Sequence, residues 1–90
     1  MRVADFVAKF ILEDLNVNHV FTLTGAGIMH LTDGLISNKK LNIICPHHEQ
    51  TSSMALEAYS RATENIGVGV FTTGPGSTNA ITGLAGAWQD

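Results

Sequence analysis

One acid stands beside two histidines at the head of a run of small, neutral residues. Glu49 follows His47 and His48 in the segment CPHHEQTSSMALEAYSRAT, whose pattern is typical of the start of a helix. An acid in the first turn of a helix is stabilised by the helix dipole, so a purely structural role would explain it. The small residues after it would also let another layer approach the carboxylate. Removal from water raises a carboxyl pKa, and such an acid could share a proton with a ligand nitrogen.

The histidines of the chain do not have the spacing of a metal site. His47 and His48 are adjacent, so their side chains point in different directions, and a third ligand is missing. His19 and His30 have no partner at ligand spacing. We therefore predict no metal ligand in this chain. His48 is expected to be a turn residue or a hydrogen-bond donor near Glu49.

Two glycine-rich turns could bind an anion or could simply turn the chain. TGAGIMH and TTGPGSTN each follow an apolar run and precede a helical pattern, the setting in which helix N-termini bind phosphate. Neither completes the dinucleotide fingerprint G-x-G-x-x-G, because His30 and Asn79 stand where the third glycine is needed. Glu49 lies about 20 residues after the first turn, as a ribose-binding acid would, but it opens a helix instead of closing a strand. Close backbone packing also explains these glycines.

Strands that alternate with helices must position these groups. Hydrophobic periodicity predicts helices over residues 2–16, 28–37, 48–64 and 77–90. Apolar runs predict buried strands over residues 19–23, 41–45 and 67–73. This order predicts an α/β fold with a parallel sheet of about three strands and helices on both faces. Functional loops lie at the carboxyl ends of such strands, so the segments TGAG, PHHE and TTGPGSTN should form one site.

Composition disfavours several classes of function. The 90 residues carry 5 basic and 8 acidic side chains, without charge runs, so no basic surface is expected for nucleic acid or for anionic lipid. The charged N-terminus does not resemble a signal peptide and no apolar run is long enough to span a membrane, which predicts a cytoplasmic protein. Only 14% of the residues are charged, which predicts surfaces that something else covers. Cys45 is alone and is expected to be a buried small hydrophobe.

Three segments together resemble the N-terminal pyrimidine-binding domain of thiamine-diphosphate enzymes, nearest the acetolactate synthase type. HVFTLTGAGIMHLTDGL, HHEQTSSMALEAYSRAT and VGVFTTGPGSTNAITGLAGAWQD match in order and in spacing over nearly all of the chain. The family patterns R/H-H-E-Q, A-x-x-Y-A-R-A-T and S-G-P-G-x-T-N stand here as HHEQ, ALEAYSRAT and TGPGSTN. We therefore expect residues 1–90 to be the N-terminal part of such a domain, truncated before the central and diphosphate-binding domains.

The resemblance implies a role for Glu49 and for four loop residues. Glu49 would be catalytic: it would hydrogen-bond N1′ of the cofactor's aminopyrimidine and favour the imino tautomer, so that the thiazolium loses its C2 proton. Pro75 and Asn79 would line the pyrimidine pocket, and Gly25 and Ala26 would lie beside the reacting carbon. The substrate would be a small 2-keto acid such as pyruvate. Ala26 cannot relay protons, which favours decarboxylation with carboligation over simple decarboxylation.

The resemblance also implies partners and leaves alternatives open. Thiamine diphosphate would be held with Mg²⁺ by a domain outside this chain, at the interface with a second subunit of a homodimer or tetramer. A requirement for FAD and the identity of the 2-keto acid stay open, and the departures Ala26 and His30 bear on the substrate. The alternatives are a 2-keto acid decarboxylase of the same superfamily and a non-catalytic interaction or regulatory module. The chain by itself is expected to be inactive, because it would hold only one side of the pocket.

Overall fold

The computed structural model describes residues 1–89 and contains a three-stranded parallel sheet with four α-helices. The strands are β1 (His19–Thr22), β2 (Asn42–Ile44) and β3 (Val68–Val70). The α-helices are α1 (Val3–Lys9), α2 (Met29–Ser37), α3 (Glu49–Thr63) and α4 (Pro75–Gln89). The α/β class and the alternating order are confirmed. The predicted end of the last helix at Asp90 lies outside the described residues.

β1 is the central strand of the sheet, with β2 on one side and β3 on the other. Both pairings are parallel, and Val20 of β1 lies opposite Ile43 and Val68. The chain therefore moves to one side after β1 and then crosses back over β1 to reach β3. Because such crossovers are right-handed, α2 and α3 lie on opposite faces of the sheet. The carboxyl ends of β1 and β3 are neighbours at one edge of the sheet.

Consecutive residues of β1 pack against the two helical layers. Val20 is fully buried in a cluster with Ala8 of α1 and Leu35 of α2. The next side chain points to the other face, where the ring of Phe21 contacts Tyr59 of α3 edge-on, with 5.8 Å between ring centres. Burying one such side chain stabilises the fold by about 1.5–3 kcal/mol. The strand that carries the first glycine-rich turn is therefore held from both sides.

The first helix is less regular than its sequence pattern predicts. α1 continues into a π-helical turn, Phe10–Asp14, and the chain then turns at Asn16, whose φ of 55° is left-handed. Val3 and Phe6 recur at helical spacing in the sequence, yet they are 80% and 59% exposed. Ala8 is the buried residue of α1, so apolar spacing does not by itself show which side chains the neighbouring elements cover.

The second strand is also more exposed than predicted. β2 has three residues and no neighbour on its outer side, so Asn42 is exposed and Ile44 is 38% exposed. Cys45 follows the end of the strand and is exposed, so the prediction that it is buried is wrong. The apolar run was correctly placed as a strand, but an edge position leaves it uncovered. Within residues 1–89, no helix is long and apolar enough to cross a membrane.

Candidate functional site

The N-terminus of α3 holds Glu49 in place. His48 is the N-cap residue: its backbone is extended, and its Nδ1 atom accepts a hydrogen bond of 3.0 Å from the backbone N–H of Gln50. A side-chain acceptor at this position satisfies one of the backbone donors that the first turn leaves unpaired. Of the two roles expected for His48, the structure shows the turn role. Glu49 is the first residue of the helix and is half-buried.

The carboxylate of Glu49 joins the second strand-end loop, PHHE at residues 46–49, to the third, TTGPGSTN at residues 72–79. Asn79, on the first turns of α4, donates a hydrogen bond of 3.2 Å from Nδ2 to Oε1 of Glu49. The other carboxylate oxygen faces Gly76, where a Cβ atom would lie 3.5 Å from Oε2. A larger side chain at that position would fill the space beside the acid. The predicted site residues Glu49 and Asn79 are thus brought into direct contact.

The electrostatic environment of Glu49 lowers the pKa of its carboxyl in this chain. Its own backbone N–H at the helix start lowers the pKa of the carboxyl most, followed by the hydrogen bond from Asn79. Burial acts in the opposite direction, and the charge of His48 adds a smaller lowering of the pKa. Without a covering layer, the donors at the helix start outweigh the desolvation of this half-buried group. The raised pKa expected of a covered carboxylate stays a prediction. Glu49 is therefore an ionised hydrogen-bond acceptor at neutral pH.

The third loop turns sharply into α4. Gly74 adopts a left-handed φ of 67°, which glycine reaches without steric cost. Its carbonyl accepts hydrogen bonds from the backbone N–H groups of Ser77 and Thr78, at 3.1 and 3.0 Å. Pro75 is the first helical residue. A backbone N–H at this position would have no acceptor within the helix, so proline loses no hydrogen bond there. The helix thus begins two residues earlier than the periodicity predicts, and Pro75 is exposed on its first turn.

The first strand-end loop, TGAG at residues 24–27, lies against the third. Gly25 is extended, with φ of −166°, and Ala26 begins a short 3₁₀ turn, Ala26–Ile28. A Cβ atom at Gly25 would lie 2.5 Å from Cβ of Thr72. Thr72 follows the end of β3 by two residues. Among residues 1–89, no hydrogen bond links this loop to Glu49, so the two parts of the site are connected through Thr72 and the start of α4. The sequence marks Thr72 and Thr73 only as residues that stand where the resembled family commonly has Thr-Ser, and it indicates no packing role for Thr72.

These residues fit one side of a pocket for an aminopyrimidine ring. An ionised carboxylate, oriented by an amide, can accept a hydrogen bond from a ring N–H, and Gly76 keeps the space beside it open. Pro75 and Ala26 are exposed on the two neighbouring loops, where a ring could contact them. Within the described part of the chain, no group of three or more His, Cys, Asp or Glu side chains could hold a metal ion.

A parallel α/β sheet whose strand ends present two glycine-rich loops and one oriented acid defines a cofactor-binding domain. The family model described as "Thiamine pyrophosphate enzyme, N-terminal TPP binding domain" matches residues 1–90. The chain belongs to this family.

Several curated relatives are similar to this chain. It is 43% identical over 75 residues to the mitochondrial acetolactate synthase of Schizosaccharomyces pombe, covering 83% of this chain. It is 39% identical over 79 residues to the acetolactate synthase of Mycobacterium avium, covering 88%. It is 36% identical over 87 residues to the acetolactate synthase large subunit of Buchnera aphidicola, covering 97%. The matched segments make up only 11%, 13% and 15% of those three proteins.

Proposed function

We propose that this chain is part of a thiamine-diphosphate-dependent enzyme that decarboxylates a small 2-keto acid and joins the product to a second carbonyl compound. The observation that carries the proposal is the Glu49 carboxylate, which the N-terminus of α3 and Asn79 hold at the edge where the strand-end loops meet. The similarity to acetolactate synthases supports this reaction class. In the full-length protein, expressed from the whole reading frame, other domains would complete the site.

Glu49 would hold a proton at the N1′ atom of the bound aminopyrimidine. Thiamine diphosphate, when bound, supplies the electron sink, which accepts the electron pair of the C–C bond that breaks when carbon dioxide leaves. Asn79 orients Oε1 of Glu49, so the other carboxylate oxygen is directed to the side of Gly76. Bound cofactor and a partner subunit would remove water from the carboxylate and raise its pKa towards neutrality. The covering layer would thus add to the partial desolvation that Glu49 already has in this chain.

The loops around the acid would shape the rest of the pocket. Pro75 and Asn79 would contact the pyrimidine ring, and Gly25 and Ala26 would lie beside the reacting carbon. The methyl group of Ala26 can neither donate nor accept a proton, which supports carboligation over protonation of the product. The two fates differ in product: pyruvate would give acetolactate by carboligation and acetaldehyde by simple decarboxylation. Product analysis by NMR therefore separates the two members of the superfamily.

A second subunit would cover α4. Ile81, Leu84 and Trp88 project from this helix with 54%, 66% and 87% of their surface exposed. Large apolar side chains exposed together on one helix are typical of an interface. A homodimer or tetramer that also contributes the Mg²⁺ and diphosphate site fits this surface. The roles assigned to Glu49 and its neighbours do not require FAD.

The test of this proposal is hydrogen exchange at C2 of thiamine diphosphate bound to the full-length protein. Glu49→Gln keeps the shape of the side chain but removes its charge, so we expect exchange, followed by NMR in deuterium oxide, to slow by about 10²-fold. Glu57→Gln is the matched control, because Glu57 lies on the same helix and pairs with Arg61 at 2.8 Å. We expect its exchange rate to match that of the wild type.

Two results would contradict the proposal. Exchange at the wild-type rate in Glu49→Gln would show that this residue is not the acid. Failure of the wild-type full-length protein to bind thiamine diphosphate in calorimetry would favour the non-catalytic module instead.

A further inference from the structure

One threonine side chain fills the space that three glycines leave open. A Cβ atom at Gly25 would lie 2.5 Å from Cβ of Thr72, one at Gly27 would lie 2.8 Å from its Oγ1, and one at Gly76 would lie 2.7 Å from its Cγ2. Real Cβ atoms essentially never come that close to another heavy atom. The three glycines come from the first loop and from the start of α4, so the side chain of Thr72 lies between that loop and the start of α4.

Gly27 and Gly76 face different atoms of Thr72. The hydroxyl is the nearest atom to Gly27 and the methyl group is the nearest atom to Gly76, whereas Gly25 faces Cβ, the methyl group and the hydroxyl together. A β-branched side chain has few χ1 rotamers, so it separates its neighbours by a well-defined distance. The backbone carbonyl of Thr72 also accepts a hydrogen bond of 2.6 Å from Oγ of Ser77, which ties it to the first turn of α4.

We propose that Thr72 is a positioning residue that sets the distance between the Gly25–Ala26 loop and the acid of the site. Its methyl group supports Gly76, which lies beside Oε2 of Glu49, and α4 carries Asn79, which binds Oε1. A change in the volume of Thr72 would therefore move the first turn of α4 relative to the carboxylate. The consequence for catalysis rests on the function proposed above.

Two double-mutant cycles test this role in the full-length protein. Gly76→Ala places a methyl group against Cγ2 of Thr72, and Thr72→Ser removes that Cγ2 while keeping the hydroxyl. Gly27→Ala places a methyl group against the hydroxyl, which Thr72→Ser does not remove. Thr72→Ser should therefore rescue Gly76→Ala and should not rescue Gly27→Ala, which serves as the matched control.

The primary readout is C2 exchange of bound thiamine diphosphate. A misplacement on the order of 1 Å at a reacting centre costs up to about 10²-fold in rate, and we expect Gly76→Ala to slow exchange by about 10-fold. Thr72→Ser should recover about threefold or more of that loss, as expected for residues in contact. The denaturation midpoint of the cofactor-free protein is the second readout, and it should show the same selective rescue.

Each outcome decides for or against the role of Thr72. Selective rescue of Gly76→Ala in both readouts supports it. Equal rescue of the two glycine variants, or rescue of neither, overturns it. Rescue in the denaturation midpoint alone also overturns it, because Thr72 would then stabilise the fold without positioning the acid. C2 exchange of the wild-type protein is measured first. Failure of the proposed function would appear as absence of exchange in the wild type, whereas failure of the role of Thr72 would appear as unselective rescue in a protein whose wild type does exchange.

Discussion

Gly83 of α4 packs closely against Ser53 of α3, beside the site. Gly83 is buried, and a Cβ atom there would collide with Oγ of Ser53 on α3. The same Cβ would lie 2.6 Å from Cβ and 2.8 Å from the carbonyl carbon of Ser53. The serine is itself 4% exposed and donates a hydrogen bond of 3.0 Å to the carbonyl of Gln50. Because backbone atoms take part in the collision, a new rotamer of Ser53 cannot relieve it.

Gly83→Ala should therefore destabilise the protein by about 2 kcal/mol. Adding a methyl group to a well-packed contact costs about 1–3 kcal/mol, and a collision with backbone belongs at the upper end of that range. Alanine is favoured over glycine inside a helix by about 1 kcal/mol, which offsets part of the cost. Because Ser53 cannot move aside, α3 and α4 must move apart to relieve the collision. This shift would reach the first turn of α3.

Gly86→Ala is the matched control on the same helix. A Cβ atom at Gly86 would lie 3.5 Å from Oε1 of Glu57, the far end of a flexible side chain, so the contact is ordinary. Only the gain in helix propensity remains, and we expect stabilisation of about 0.5–1 kcal/mol. The two substitutions should thus have opposite signs although they are one helical turn apart.

Hydrogen exchange of backbone amides measures this effect locally in α3 and α4. Gly83→Ala should reduce protection of the amides in α3 and α4, and Gly86→Ala should preserve or increase it. The expectation for Ser53→Ala combined with Gly83→Ala is incomplete rescue, because Cβ and the backbone remain. Equal protection in Gly83→Ala and Gly86→Ala would refute the packing argument.

Two further predictions concern the start of α3. His48→Ala removes the N-cap acceptor and should destabilise the helix by about 0.5–2 kcal/mol, whereas His48→Asn should keep most of the stability; amide exchange in α3 compares them. The pKa of Glu49 is lowered in the folded chain, so its contribution to stability is complete above the ordinary carboxyl range and is lost as pH falls through the lowered pKa. Without cofactor, the denaturation midpoints of wild type and Glu49→Gln should therefore converge as pH falls below the ordinary carboxyl range and through the lowered pKa of Glu49; a constant difference would contradict this.

The sequence predicts the position of the site better than its electrostatics. Alternating strands and helices predict that the loops after all three strands lie at one edge of the sheet, and Glu49 after β2 and Asn79 after β3 are in contact there. The pKa of Glu49 does not follow, because its sign depends on how closely donors at the helix start approach the carboxylate and on what covers it. Composition indicates small neighbours, but it does not indicate whether water or another layer occupies the space beside them.

Burial in the first half of the chain shows a second limit of sequence patterns. Apolar runs identify strands, but they do not give the order of strands in the sheet, so the edge position of β2 and the exposure of Cys45 could not be read from them. The exposure of Phe6 has a similar cause, since periodicity marks an apolar face without showing how much of it the neighbours cover. The role of Thr72 was hidden because glycines indicate a close approach but not the residue that approaches.

The central place of β1 has a consequence for the order in which the molecule assembles. Val20 pairs with Ile43 and also with Val68, which is about twice as far along the chain. Closing the longer loop costs more chain entropy and belongs later in folding. β1, α2 and β2 can therefore associate first, before β3 and α4, which carries Asn79, dock. Glu49 lies on α3, which packs against α4, so its contact with Asn79 also forms late. Substitutions in the late-docking elements should accelerate unfolding more than they slow folding.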